Sequence, residues 1–205
     1  MTDARPGQPS MAERILDTAE QLVQTRGFNG FSYADVAGRL GVTKASLHYH
    51  YAGKAQLGEA LISRYTTRFS DALTGIEAAH PDAPARLGAY ARLYSEVLAG
   101  DRMCLCGMLA AEYETLAREM QDAVVAFFDL NEAWLANVLE QGRASGTIRL
   151  DGSTRDAARV IVGGLEGAML VTRPYRDPQR FQAAAESILS AVIQAGAPVG
   201  AREAG

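Results

Sequence analysis

Residues 32–54 read SYADVAGRLGVTKASLHYHYAGK, and the reading of this stretch decides the fold. Ser32 with Asp35 three residues on is an aspartate variant of a capping box and marks a helix start. Val36, Ala37 and Leu40 share one face of the helix that follows, and Ala37 is small enough to let another helix cross closely. Gly41 can adopt the left-handed conformation that stops a helix sharply. Val42 plugs the corner, and Thr43 caps the next short helix. Helix, tight glycine turn and second helix make a helix-turn-helix, a shape whose second helix fits the DNA major groove.

Upstream, Ala12, Ile15, Leu16, Ala19, Leu22 and Val23 recur at helical spacing. They predict a first helix over 11–26, ended by Gly27. Phe28 and Phe31 flank Asn29-Gly30 and are expected to fill the bottom of a three-helix core. Phasing the reading helix at about 100° per residue puts Lys44, Ala45, His48 and Tyr49 on one arc, with Leu47 anchoring the other side. Lys44 and Tyr49 can reach phosphates or base edges, and Ala45 lets the backbone approach or meets a thymine methyl. His50 lies off this arc, near the helix end. Lys54 opens helix four and suits a backbone phosphate. Ser32, Tyr33, Thr43 and Ser46 complete the candidate DNA-binding set. His48 and His50 do not make a metal pair, because their side chains point about 200° apart where helical ligand pairs use i,i+4 spacing. No metal or cofactor is expected.

The segment Gly41-Val42-Thr43-Lys44-Ala45-Ser46-Leu47-His48-Tyr49-His50-Tyr51, with Lys54, resembles the TetR-type family of bacterial transcriptional regulators. That family carries a pattern close to G-V-[ST]-K-[GA]-x-L-Y-x-[YH]-F-x-x-K. The resemblance runs from about residue 11 to 60. His48 stands where the family most often has tyrosine, and Tyr51 where it usually has phenylalanine. The resemblance implies a homodimer, a double-stranded operator with two half-sites, and a helical C-terminal domain that binds a small effector.

The rest of the 205 residues is consistent with that expectation. The chain is read as all-α, with about nine helices. A loose end over 1–10 precedes the helix-turn-helix at 11–56, a larger helical effector-binding and dimerisation domain covers 57–195, and a second loose end covers 196–205. Overall charge is −4, but residues 1–68 carry eight Arg/Lys against six Asp/Glu, so the positive part is the one with the motif. The polar N-terminus shows no apolar signal segment, and no run reaches the ~20 apolar residues a membrane span requires. A cytoplasmic protein is expected, with Cys104 and Cys106 too close together for a structural disulfide.

Helix four is predicted from Lys54 to Leu73, with Leu57, Leu61, Tyr65, Phe69 and Leu73 as its stripe. Further helices are expected over 85–99, 103–119, 121–144, 154–172 and 178–195, with 79–84 a loop and 146–153 a turn-rich connection. The last two carry small residues, Gly163, Gly164, Gly167 and Ala168 in one and Ala184, Ser187 and Ala191 in the other. These suit a helix pair that packs on its own copy, as the resemblance implies; packing inside one subunit is the alternative. Effector-pocket candidates on the central helices are Tyr65, Tyr94, Met103, Cys104, Met108, Phe127, Trp134, Glu166 and Met169. Cys104 to Glu112 resembles a C-L-x-x-x-L-x-x-E segment of a family subgroup, some of whose members sense electrophiles or oxidants through that cysteine. This leaves a thiol-sensing repressor acting through Cys104 as an alternative to noncovalent sensing. His80, Asp82, Glu112 and Glu114 are scattered and form no catalytic constellation, so no enzyme is expected. A helical enzyme and an effector-free architectural dimer are the readings from other classes.

Overall fold

The computed structural model describes residues 9–195, so the two loose ends read from the sequence fall almost wholly outside the described residues. Nine α-helices and one two-stranded ribbon make up the described chain. Its internal contacts divide it into two compact units. One comprises the residues up to Thr67 together with Cys104–Val125, and the other Arg68–Met103 with the residues from Ala126 onward.

The first unit is built on α1 (Met11–Arg26), α2 (Tyr33–Leu40) and α3 (Lys44–His50). Ser10 caps α1 in a reciprocal capping box with Glu13, and Gly27 closes it at φ 83°. Asp35 accepts hydrogen bonds from the Ser32 backbone N–H (2.8 Å) and hydroxyl (2.6 Å) at the start of α2. Gly41 takes the left-handed φ of 66° that ends α2, a conformation costly for any residue with a Cβ. Thr43 then accepts from the Ser46 N–H at 3.3 Å to start α3. Ile15, Leu22, Val23, Val36 and Leu47 are fully excluded from water and form the core of the module. Helix α4 (Lys54–Ala79) begins here, α6 (Leu105–Ala111) packs against α1, and the first turns of α7 (Arg118–Ser145) belong here too. Arg64 on α4 pairs with Asp17 (2.7 Å) and with the buried Glu20 (2.8 Å) on α1.

The second unit contains α5 (Ala83–Ala99), most of α7, α8 (Thr154–Thr172) and α9 (Pro178–Val192). Helix α8 packs against α9, and both pack on α5. Its core holds Tyr90, Phe127, Leu135, Leu139, Ile161, Leu165 and Phe181.

Three expectations are corrected. Helix α4 continues to Ala79 rather than Leu73, because Ile76, 8% exposed, carries the buried stripe one turn further. The single helix expected over 103–119 is α6, a 3₁₀ turn at Tyr113–Thr115 and the start of α7. The chain breaks where the Glu112 carboxylate turns to the backbone of residues 28 and 29, and Leu116, 6% exposed, is extended and buried. The helix expected to reach 195 stops at Val192. Residues Gln194–Ala195 (β2) instead pair antiparallel with Ile148–Arg149 (β1), inside the connection read as turns. The burial of Ile148, 2% exposed, anchors that ribbon.

Candidate nucleic-acid interface and the interior beside it

Helix α3 is seven residues long, too short to persist alone. It is held by Leu47, which is fully buried, and it follows directly on an α2 closed by the bond from the Val42 N–H to the Ala37 carbonyl. With Leu47 turned inward, Lys44, Ala45 and Tyr49 are exposed, Tyr49 at 86% of its surface. Such exposure is unusual for a tyrosine on a packed module. The Tyr49 ring rests edge-on against His50, 5.2 Å between centroids, which limits its freedom. Ser46 is half-buried and Thr43 exposed, both at the N-terminal end of the helix.

Other candidates have partners within the module itself, although His48 is also exposed. The His48 ring packs on Tyr33 at 4.7 Å, and its Nδ1 lies 3.0 Å from the Ala52 carbonyl oxygen. Tyr33 is 9% exposed and donates its hydroxyl to the Tyr51 carbonyl at 2.9 Å. Burial pushes the hydroxyl pKa of Tyr33 upward. Lys54 sends its Nζ to the carbonyls of Phe28 and Phe31, over both rings at 4.6 and 4.4 Å. Burial holds this ammonium below the usual lysine range, against the attraction of Glu112 and Asp35. Sequence reasoning passed over Glu112, Arg64 and Thr115 as parts of this module. Only Glu112 carried a signal, as the last letter of the segment beginning at Cys104.

Among the pocket candidates, Tyr65, Cys104 and Met108 lie in the first unit. The Tyr65 hydroxyl donates to Cys104 Sγ at 3.7 Å, and the Gly107 N–H donates to the same sulfur at 3.4 Å. Cys104 is 2% exposed and Cys106 fully buried. In the second unit, Tyr90 stacks on Trp134 at 5.6 Å, lies beside Tyr94 at 5.5 Å, and donates to the buried Asn131 at 2.9 Å. Phe127 packs on Phe69 at 5.2 Å. Trp134 Nε1 is buried with no hydrogen-bond acceptor among the described residues. Met103 and Met169 are buried, and Glu166 on α8 is half-buried.

The small residues of the last two helices divide by what surrounds them. A Cβ on Gly163 or Gly167 would meet nothing within 4 Å, whereas one on Gly164 would lie 3.1 Å from Ile188 of the same subunit. Gly163, Gly167, Ser187 and Ala191 are exposed, and Ala168 and Ala184 half-buried. Val160, Leu170 and Val171 are exposed on the same side of α8 as the two open glycines, at 57, 61 and 61%.

A three-helix module with a short, capped helix presenting a polar face, carried on a chain of further helices, defines a helix-turn-helix DNA-binding regulator. Residues 15–61 match the family described as "Bacterial regulatory proteins, tetR family". Residues 83–188 match "Tetracyclin repressor-like, C-terminal domain". The chain belongs to the TetR family of transcriptional regulators. A TetR-family regulator from Agrobacterium tumefaciens is 31% identical and superposes with a TM-score of 0.86, over 89% of this chain and 97% of that one. The reduced form of Escherichia coli NemR is 25% identical with a TM-score of 0.80, over 92% of this chain and all of that one. The transcriptional regulator AcuR of Cereibacter sphaeroides is 28% identical over 167 residues, 78% of this chain and 76% of that protein. Family members bind DNA operators and small-molecule effectors and function as dimers. No helix among the described residues is long and apolar enough to cross a membrane.

Proposed function

We propose that the chain is a homodimeric repressor that binds a two-half-site operator through α3 and is released by a small effector bound in its C-terminal part. In this reading residues 11–56 read DNA, and residues 57–195 sense and pair. The observation that carries it is the face of α3: Lys44, Ala45 and the 86%-exposed Tyr49 point outward from a helix pinned by a fully buried Leu47. Lys44 supplies phosphate or base contact, Tyr49 stacks or hydrogen-bonds at the groove, and Ala45 permits close approach. Thr43 and Ser46 lie where the helix start meets the backbone of the duplex. His50 and Lys54 contribute at the rim, Lys54 by holding residues 28–31 in place.

Effector sensing is supported by the aromatic group around Trp134. A buried indole N–H with no acceptor favours a ligand that supplies one. Tyr94, Phe127, Glu166 and Met169 would then line or flank the site. Binding there would shift α4, and with it the spacing of the two reading helices. Half-sites are about 34–36 Å apart, and coupling of this kind is typically worth ~1–3 kcal/mol.

The test is a gel shift on DNA taken from upstream of the chain's own gene, run with wild type and Lys44→Ala. An operator affinity unchanged in Lys44→Ala would place the reading surface elsewhere. A second reading, thiol sensing through Cys104, is favoured by the two donors aimed at its sulfur, the Tyr65 hydroxyl and the Gly107 N–H. Operator release by a quinone that persists unchanged in Cys104→Ser would end that reading.

A further inference from the structure

We infer that Glu112 is a positioning residue for operator binding: its carboxylate holds the loop between α1 and α2 and ties the set of the reading helix to α6. The inference rests on α3 being the DNA-contacting helix.

The contact is specific. Glu112 Oε2 accepts from the Phe28 N–H at 2.6 Å, and both carboxylate oxygens lie within reach of the Asn29 N–H, at 3.2 and 3.3 Å. Two successive amides aimed at one anion form a nest, and here the anion belongs to the chain itself. Gly27, at φ 83°, completes the cradle: a Cβ there would sit 2.6 Å from Oε1. The carboxylate therefore occupies the space that the missing side chain leaves. A second tie runs beside it, from the Asn29 side-chain amide to the Thr115 hydroxyl at 2.7 Å. That hydroxyl donates in turn to the Glu112 carbonyl at 2.7 Å.

The same loop is held from its other side. Its N–H groups go to Glu112, while its carbonyls at 28 and 31 go to Lys54 at the start of α4. The loop leads directly into α2, and α2 is fastened to the end of α3 by the Tyr33 hydroxyl on the Tyr51 carbonyl. Glu112 terminates α6, and Cys104 begins it. Seven helical residues span roughly 10 Å, so α6 is a short rigid lever with Cys104 at one end and the DNA module's loop at the other. A displacement of α6 must break these charge-assisted bonds or move the loop with it. Coupling is reciprocal, so occupancy of α3 by DNA must be felt at α6. A carboxylate that merely stabilised the loop would make no such demand.

The test is hydrogen exchange of the full chain, with and without a duplex enriched from a random pool by the wild-type protein. In wild type, amides over 105–115 should exchange about tenfold more slowly when the duplex is bound, within the usual range of coupling between sites. In Glu112→Gln, measured at saturating duplex, the slowing should fall below about twofold, while α3 remains protected. Equal slowing in Glu112→Gln overturns the inference, and so does an absence of slowing in wild type. If wild type enriches no duplex, the DNA reading fails and takes this inference with it, a result distinct from the other two. Should Glu112→Gln not fold, Thr115→Val removes only the flanking tie. Reduced slowing there supports the lever, and undiminished slowing counts against it.

Discussion

The outward faces of α3 and α8 make the most instructive contrast in this molecule. Both helices bury one side, α3 through Leu47 and α8 through Ala158, Ile161, Leu165 and Met169. What they leave outside differs in kind. Helix α3 presents a cation, a small residue and an amphipathic aromatic. Helix α8 presents Val160, Leu170 and Val171 with two open glycines between them, all within an arc of roughly 100°. A polar, hydrogen-bonding face suits a hydrated polyanion. An aliphatic face interrupted by glycines is flat and dry, and suits a second protein surface. The contrast supports a division of labour in which one helix reads DNA and the other supplies the two-fold symmetry such reading needs.

The sharpest way to break that contrast is Leu170→Asp. If α8 joins two copies, the variant should be monomeric by light scattering, and operator affinity should fall on the order of 10²–10⁴-fold through lost avidity. A dimer that survives this change would assign the apolar face to something else. Lys44→Ala should do the reverse, leaving the dimer intact while each half-site loses about 1–3 kcal/mol, measurable by titrating labelled operator. Gly167→Ala discriminates more finely. The added methyl meets nothing in its own subunit, and alanine favours a helix by up to about 1 kcal/mol over glycine. Any fall in dimer stability, read from the concentration dependence of the melting temperature, then has to come from the partner; an unchanged or rising value would move the interface off this glycine.

The smallest effect concerns acid. Ser10's side chain, then its backbone N–H, lowers the carboxyl pKa of Glu13, and Ser32's hydroxyl, then its N–H, lowers that of Asp35. A depressed carboxyl stabilises the fold above its unfolded-state value, and that contribution disappears as pH falls through the lower folded-state value. The starts of α1 and α2 should therefore loosen below the ordinary carboxylate range. Hydrogen exchange along an acid titration should show protection of residues 33–40 falling there in wild type, and a flatter profile in Asp35→Asn.

The helix-turn-helix was legible because its signals are local. Ser32, Gly41 and Thr43 each act on residues within a few positions, so caps and turn could be read almost residue by residue. The break after α6 was not legible. Glutamate is a good helix former, and nothing near Glu112 forbids continuation; its partners lie 84 and 83 residues away. The ribbon of Ile148–Arg149 with Gln194–Ala195 escaped for the same reason, since two residues are too few to show an alternating pattern. Arg64 with Asp17 and Glu20 reads in sequence as surface charge, yet Glu20 is 5% exposed. Only the approach of α4 to α1 brings those groups together.

Two lysines of one motif mark the boundary between what sequence and tertiary structure each determine. The sequence alone specified a short capped helix opening on Lys44 and a longer one opening on Lys54, because capping and periodicity are properties of neighbouring residues. It could not assign the two cations different work. Lys44 stands exposed on α3, while the Lys54 ammonium lies between the Phe28 and Phe31 carbonyls. Packing of the start of α4 against a loop some 25 residues earlier set that difference: a buried cation has to find acceptors, and only the folded chain places them within its reach.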